Sequence, residues 1–229
     1  MVPPRQLPLA LPHEAALDRA DFLEGAANIE AVTLVDRWPD WPARPVLLVG
    51  PPGSGKSHLI GIWQQASGAR IAKASDLTAD DAEALVASGA VGIEDLQDGP
   101  IDEAALFHLL NLAAGQKAAI MLTSRVPVPQ IPLALPDLMS RLRAALPVTL
   151  SAPDDDLLRR VLIKLFADRQ LTVERGVVDY IVARMERSFD AANRIVAALD
   201  HEALARGRSI TTRLAGELLG SDGEADEPE

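Results

Sequence analysis

One run constrains this chain more than any other: Val46-Leu47-Leu48-Val49-Gly50-Pro51-Pro52-Gly53-Ser54-Gly55-Lys56-Ser57. The apolar start reads as a buried strand, the glycines as a turn, and Lys56-Ser57 as the opening of a helix. Gly50, four residues, then Gly55-Lys56-Ser57 is the spacing of a phosphate-binding loop. Gly53 and Gly55 have access to backbone angles closed to other residues, so successive amides can turn inward around phosphate oxygens. The helix that follows aims its positive end at the same place. Lys56 is expected to reach the β- and γ-phosphates, and the Ser57 hydroxyl to hold Mg²⁺. The nucleotide-contacting run is therefore Gly50, Pro51, Pro52, Gly53, Ser54, Gly55, Lys56, Ser57 and His58. ATP or ADP is the expected ligand class, with Mg²⁺.

A chain of 229 residues is long enough for one α/β domain with a small appended domain. It is rich in Ala, Leu and Val and poor in aromatics (3%), which suits helices packed on a parallel sheet. The absence of cysteine excludes disulfides and thiolate-bound metals. No apolar run reaches the length of a membrane span, and the start does not read as a signal peptide, so a cytoplasmic location is expected. The net charge of −11 argues against a DNA-binding role that needs a basic face. Five acids fall in residues 221–229, which read as a solvated tail.

Four prolines within residues 1–13 favour an extended segment. There Gln6-Leu7-Pro8-Leu9-Ala10-Leu11 places Leu7, Leu9 and Leu11 on one face of an extended peptide, suited either to a partner's pocket or to folding back on its own domain. Phe22 and Leu23 read as a short buried segment, and Asn28 opens a helical pattern that runs to about Trp38. After the loop, 57–66 is helical, 69–73 a strand, and 77–88 helical with Thr78 as N-cap. The strand 90–96 ends in Glu94-Asp95. Carboxylates at a strand end downstream of a phosphate loop hold metal and orient water. The more usual order, Asp then Glu, is reversed here, which shifts the carboxylates by about one methylene and weakens hydrolysis more than binding. Residues 101–114 are helical and 117–124 a buried strand whose polar end, Thr123 and Ser124, falls where ligands bind in doubly wound sheets. A proline-rich loop, a short helix over 137–143 and a strand over 148–151 complete the α/β part. From Pro153 onward only helical periodicity remains.

This order of features resembles the AAA+ layout, and within it the DnaA branch, most closely the Hda proteins. Gln6 to Leu11 is similar to the bacterial clamp-binding pattern Gln-Leu-x-Leu-x-Leu. Phe22-Leu23-Glu24-Gly25-Ala26-Ala27-Asn28 resembles the DnaA segment that frames adenine. Asp137-Leu138-Met139-Ser140-Arg141-Leu142 resembles the stretch bearing the arginine finger, which falls on Arg141. Arg187-Ser188-Phe189-Asp190-Ala191-Ala192 resembles the sensor-2 stretch, placing its arginine at Arg187, with Arg194 as the alternative.

The resemblance implies a P-loop AAA+ domain with a five-stranded parallel sheet, plus a small all-α lid. The expected organisation is a clamp-binding tail (1–13), the nucleotide domain (14–152), the lid (153–220) and the acidic tail (221–229). It implies Arg141, Glu94, Asp95 and Ser124 as catalytic residues, Asn28 and Arg187 as further nucleotide contacts, and Ser57 and Glu94 as metal ligands. Gln6, Leu7, Leu9 and Leu11 would bind the sliding clamp. The implied function is negative regulation of replication initiation: the protein promotes hydrolysis of ATP held by the DnaA AAA+ domain and meets DNA only through the clamp. A homodimer stays open. Two other readings stand beside it, an adaptor in which nucleotide is only structural and a helicase-loader-like ATPase.

Overall fold

The computed structural model describes residues 18–222. The expected clamp-binding residues Gln6, Leu7, Leu9 and Leu11 lie outside them. The chain divides into two compact units, Leu17–Ala152 and a second containing Pro153–Glu229.

In the first unit, β1 (Val46–Val49), β2 (Arg70–Lys73), β3 (Ala90–Glu94), β4 (Ala119–Ser124) and β5 (Leu146–Thr149) form one parallel sheet. Its order is β2-β3-β4-β1-β5. The chain leaves β1 for the far edge, returns through β2, β3 and β4, and then crosses β1 to reach β5. Helix α1 (Ile29–Asp36) precedes β1, and α2 (Lys56–Ser67), α3 (Asp81–Val86), α4 (Glu103–Gln116) and α5 (Pro136–Arg143) lie between successive strands in sequence.

The central strands are continuous apolar runs because both faces are covered. Val46, Leu48, Ala119 and Met121 face a core with α1 and α2, joined by Trp41 and Trp63. Leu47, Val49, Ile120 and Leu122 face the opposite core with residues of α3, α4 and α5. The tryptophans pack on one another, Trp41 on Trp63 with ring centroids 5.1 Å apart, and Trp41 Nε1 donates to Leu34 O at 2.8 Å. Both are core residues, 8% and 0% exposed.

Two local expectations are corrected. Residues 77–88 are not one helix capped by Thr78. The Thr78 amide and hydroxyl both donate to the Asp81 carboxylate, at 2.9 and 2.6 Å, so the side chain reaches back from the helix and Asp80 is the N-cap. The last strand starts at Leu146 and includes Pro147. A proline is tolerated there because β5 is an edge strand.

The second unit is helical: α6 (Asp155–Asp168), α7 (Arg175–Val182), α8 (Phe189–Arg206) and α9 (Thr212–Asp222). Asp154 and Ser188 cap α6 and α8 by accepting from Leu157 N (2.8 Å) and Ala191 N (3.1 Å). Leu158, Leu162, Phe166, Ile181, Val196 and Leu199 form its core.

Candidate nucleotide-binding site

The loop after β1 has the geometry that its glycines predict. Gly53 and Gly55 sit at φ 65° and 94°, in the left-handed region. Gly55 is also the N-cap of α2, whose first backbone bond runs from Leu59 N to Gly55 O at 3.0 Å. The amides of the helix's first turn therefore point out of the helix toward the loop. Gly50 is needed for closeness: a Cβ there would stand 2.6 Å from Leu150 O. Its amide donates to Ser124 O at 3.1 Å, which ties the start of the loop to the end of β4.

Lys56 is buried, and its ammonium folds back over the loop, donating to Gly50 O (2.7 Å) and Pro51 O (2.9 Å). Ser57 is exposed at the head of α2, Ser54 is buried within the loop, and Pro51 and Pro52 are exposed. His58 packs edge-on against Phe22, ring centroids 4.9 Å apart. This contact sets the segment before α1 beside the first turn of α2.

Asn28 is 2% exposed, and its amide is engaged locally. Nδ2 donates to Leu23 O (3.0 Å) and Oδ1 accepts from Gly25 N (2.9 Å), so the side chain shapes the turn from Leu23 to Asn28. Arg19 braces the same segment from outside, with ion pairs to Asp36 (2.7 Å) and Glu24. The guanidinium's hydrogen bonds hold the Asp36 carboxyl below the usual carboxylate range.

The two acids at the end of β3 differ. Glu94 is the last strand residue, and its Oε1 is buried without a hydrogen-bond partner among the described residues. Asp95 leaves the strand at φ 59°, and its amide donates to the Thr123 hydroxyl at 3.0 Å. Asp95 is thus a turn residue as well as a carboxylate. Beside it the Ser124 hydroxyl donates to Val126 O (2.7 Å) and accepts from Val126 N (3.2 Å). The loops after β3 and β4 are joined further: Arg125 N donates to Gln97 Oε1 (2.8 Å), and the Arg125 guanidinium pairs with Asp98 (2.7 Å). β4 separates β3 from β1, so loop and acids stand two strand spacings apart, roughly 10 Å.

Arg141 and Arg143 are exposed in the last turn of α5, and neither has an ion pair or side-chain hydrogen bond among the described residues. In the helical unit Arg187 pairs with Asp155 at 3.0 Å, and Arg194 with Glu186 at 3.4 Å. A separate cavity of about 320 Å³ between α1 and β5 is lined by Ile29, Thr33, Leu34, Arg37 and Val148, and by no residue of the loop. Sequence reasoning missed Arg19, Gln97 and the Thr123–Asp95 contact. Only their partners make them informative.

Among the described residues no helix is long and apolar enough to cross a membrane. No protein-family model matches the sequence, and no curated protein matches it. Solved structures do. Domain III of the replication initiation protein DnaA from Thermotoga maritima is 18% identical, with a TM-score of 0.71 over 90% of this chain and 96% of that one. AMPPCP-bound DnaA from Aquifex aeolicus is 19% identical, with a TM-score of 0.65 over 83% of this chain and 68% of that one. A point mutant of RuvB from Thermotoga maritima is 16% identical, with a TM-score of 0.69 over 92% and 75%. The chain has the AAA+ fold that DnaA and RuvB share.

Proposed function

We propose that this protein binds an adenine nucleotide with Mg²⁺ at the loop Gly50–Ser57 and uses Arg141 to promote hydrolysis of ATP held by a partner AAA+ domain, that of DnaA. The likeness to AMPPCP-bound DnaA supports the choice of an adenine nucleotide. The loop amides and Lys56 hold the phosphates, Ser57 and Glu94 order the metal, and the segment from Phe22 to Asn28 flanks the base. Bound Mg²⁺ would neutralise phosphate charge.

The position of Arg141 carries the proposal. Helix α5 ends at Arg143 and passes through Ala144 and Ala145 into β5, whose first residue pairs with Val46, the first residue of β1. The phosphate loop begins at the other end of β1. Arg141 thus belongs to the opposite edge of the sheet from the loop, about one strand length (roughly 13 Å) away. An exposed arginine there serves a neighbour's nucleotide, not its own. A cation delivered in trans to the developing γ-phosphate charge is worth about 10³–10⁵ in rate. The clamp pattern Gln6 to Leu11 brings the protein to DNA-loaded clamps.

The test is single-turnover hydrolysis of DnaA-bound ATP, with and without this protein on clamp-loaded DNA. Stimulation by wild type and none by Arg141→Ala, at unchanged nucleotide affinity, is expected. An Arg141→Ala protein that stimulates normally removes the arginine from this role. The adaptor reading draws on Asp95, whose left-handed turn and Thr123 contact give it a structural use. It predicts nucleotide-dependent partner binding with no change in the partner's hydrolysis.

A further inference from the structure

Between Ser124 and Pro136 the backbone has one short 3₁₀ turn, Val128–Gln130, and three residues, Pro127, Pro129 and Pro132, that have no amide to donate. Val128 and Ile131 anchor this connection in the core that also buries Leu138 and Leu142, but it offers few backbone donors or acceptors to define the first turn of α5. The helix also lacks a cap of its own: its N-cap is Leu135, which offers no side-chain acceptor.

The missing acceptor comes from another helix. Glu103, in the first turn of α4, spans the two amides that lead into α5. One carboxylate oxygen accepts from Ala134 N at 2.8 Å and the other from Leu135 N at 2.6 Å. Two charge-assisted bonds from one planar group fix direction as well as distance. Glu103 is itself held, because Asp102 caps α4 by accepting from Ala105 N at 2.9 Å. Further along α5, Leu138 and Leu142 are buried in the core shared with α4, at 0% and 1% exposure. The helix is thus held at its start by Glu103 and along its flank by two leucines, and Arg141 projects from its last turn.

We propose that Glu103 is a positioning residue for Arg141: its carboxylate sets the start of α5 and so the place where the arginine arrives. This rests on the trans-acting reading of Arg141. Glu103 touches no nucleotide and acts only through the helix. Geometry at the reacting centre is sensitive, since a misplacement of about 1 Å costs on the order of 10²-fold in rate.

Glu103→Ala, Glu103→Gln, Arg141→Ala and the double variant Glu103→Ala/Arg141→Ala are compared in the single-turnover DnaA assay on clamp-loaded DNA. Affinity for ADP and amide hydrogen exchange across residues 134–143 are measured alongside. Glu103→Ala is expected to lower the maximal stimulated rate by about 10–100-fold at unchanged ADP affinity. Exchange should quicken in α5 while the amides of β1 and β4 keep their protection. Glu103→Gln keeps one acceptor oxygen and recovers part of the rate. The double variant is no worse than Arg141→Ala, because both act through one group. Wild-type stimulation by Glu103→Ala, alongside loss in Arg141→Ala, overturns this proposal and leaves the arginine's role standing. Normal stimulation by Arg141→Ala overturns both. A Glu103→Ala loss that follows only a fall in global stability, with α5 exchange no faster than elsewhere, also overturns it.

Discussion

Thr123→Val removes one hydroxyl from the end of β4 and almost nothing else. Thr123 is 1% exposed, and its Oγ1 accepts from Asp95 N at 3.0 Å. Valine keeps the volume and the β-branch but supplies no acceptor, so the amide stays in place without a partner. The bond is part-buried, and an unsatisfied donor there costs about 1–3 kcal/mol, least where water reaches it. The neighbouring bond from Leu96 N to Thr123 O, 3.1 Å, uses the backbone and survives the change. The loss therefore falls on the turn at φ 59°, a conformation that an L-residue keeps only when held there. For a unit of this size about 4 °C of melting temperature goes with each kcal/mol, so the midpoint should fall by about 4–12 °C. Thermal and urea melts of wild type, Thr123→Val and Thr123→Ser measure it. Serine keeps the acceptor and loses only a methyl group, so it should melt between the other two. A valine variant that melts with wild type, or a serine variant that melts with valine, refutes the argument that the hydroxyl fixes the acid turn.

Gly55→Ala forces a side chain onto φ 94°; it should cost about 1–3 kcal/mol and abolish ADP binding, read by melts and by calorimetric titration. Asp36 has a folded-state pKa below its unfolded value, so its contribution is present above the ordinary carboxylate range and fades as pH falls through the folded value. Both partners are partly exposed, so the effect is about 0.2–1 kcal/mol, and Asp36→Asn should flatten the acid limb of the stability curve by that amount. Changing Gln6 and Leu7 to alanine should remove clamp binding in a pull-down without moving the melting temperature; clamp binding that persists ends that reading of the segment.

The parallel sheet was legible because its central strands are buried on both faces and read as unbroken apolar runs, with the phosphate loop marking β1. Where one residue type serves several purposes, the reading drifted. A strand over 148–151 leaves Pro147 outside, yet an edge strand has room for a residue without an amide. Thr78 has the chemistry of a cap, but Asp81 reaches back to it first. Asn28 and Ser124 are the polar types expected of ligand contacts, at the places where such contacts occur. Whether a polar group is free depends on its neighbours in space, and the sequence does not state those. Glu103 escaped notice for the same reason: a glutamate in a first turn suits the helix dipole, and nothing nearby in sequence announces that its acceptors serve α5.

These satisfied groups bear on what the domain can do. Along the C-terminal edge of the sheet Asn28 is spent on Leu23 and Gly25, Thr123 on Asp95, Ser124 on Val126, and Arg125 on Asp98. A lining whose side chains hold one another is rigid, which favours binding a polyphosphate on preset amides. It leaves the carboxylates of Glu94 and Asp95 as the acids at the end of β3, since only the amide of Asp95 is taken up by Thr123. Glu94, with a buried oxygen that has no partner among the described residues, remains suited to ordering a metal. On the proposed reading, a site built in this way grips nucleotide better than it turns it over. That division is useful: a held nucleotide keeps the domain in shape while the exposed Arg141, at the opposite edge of the sheet, acts on a neighbour's nucleotide.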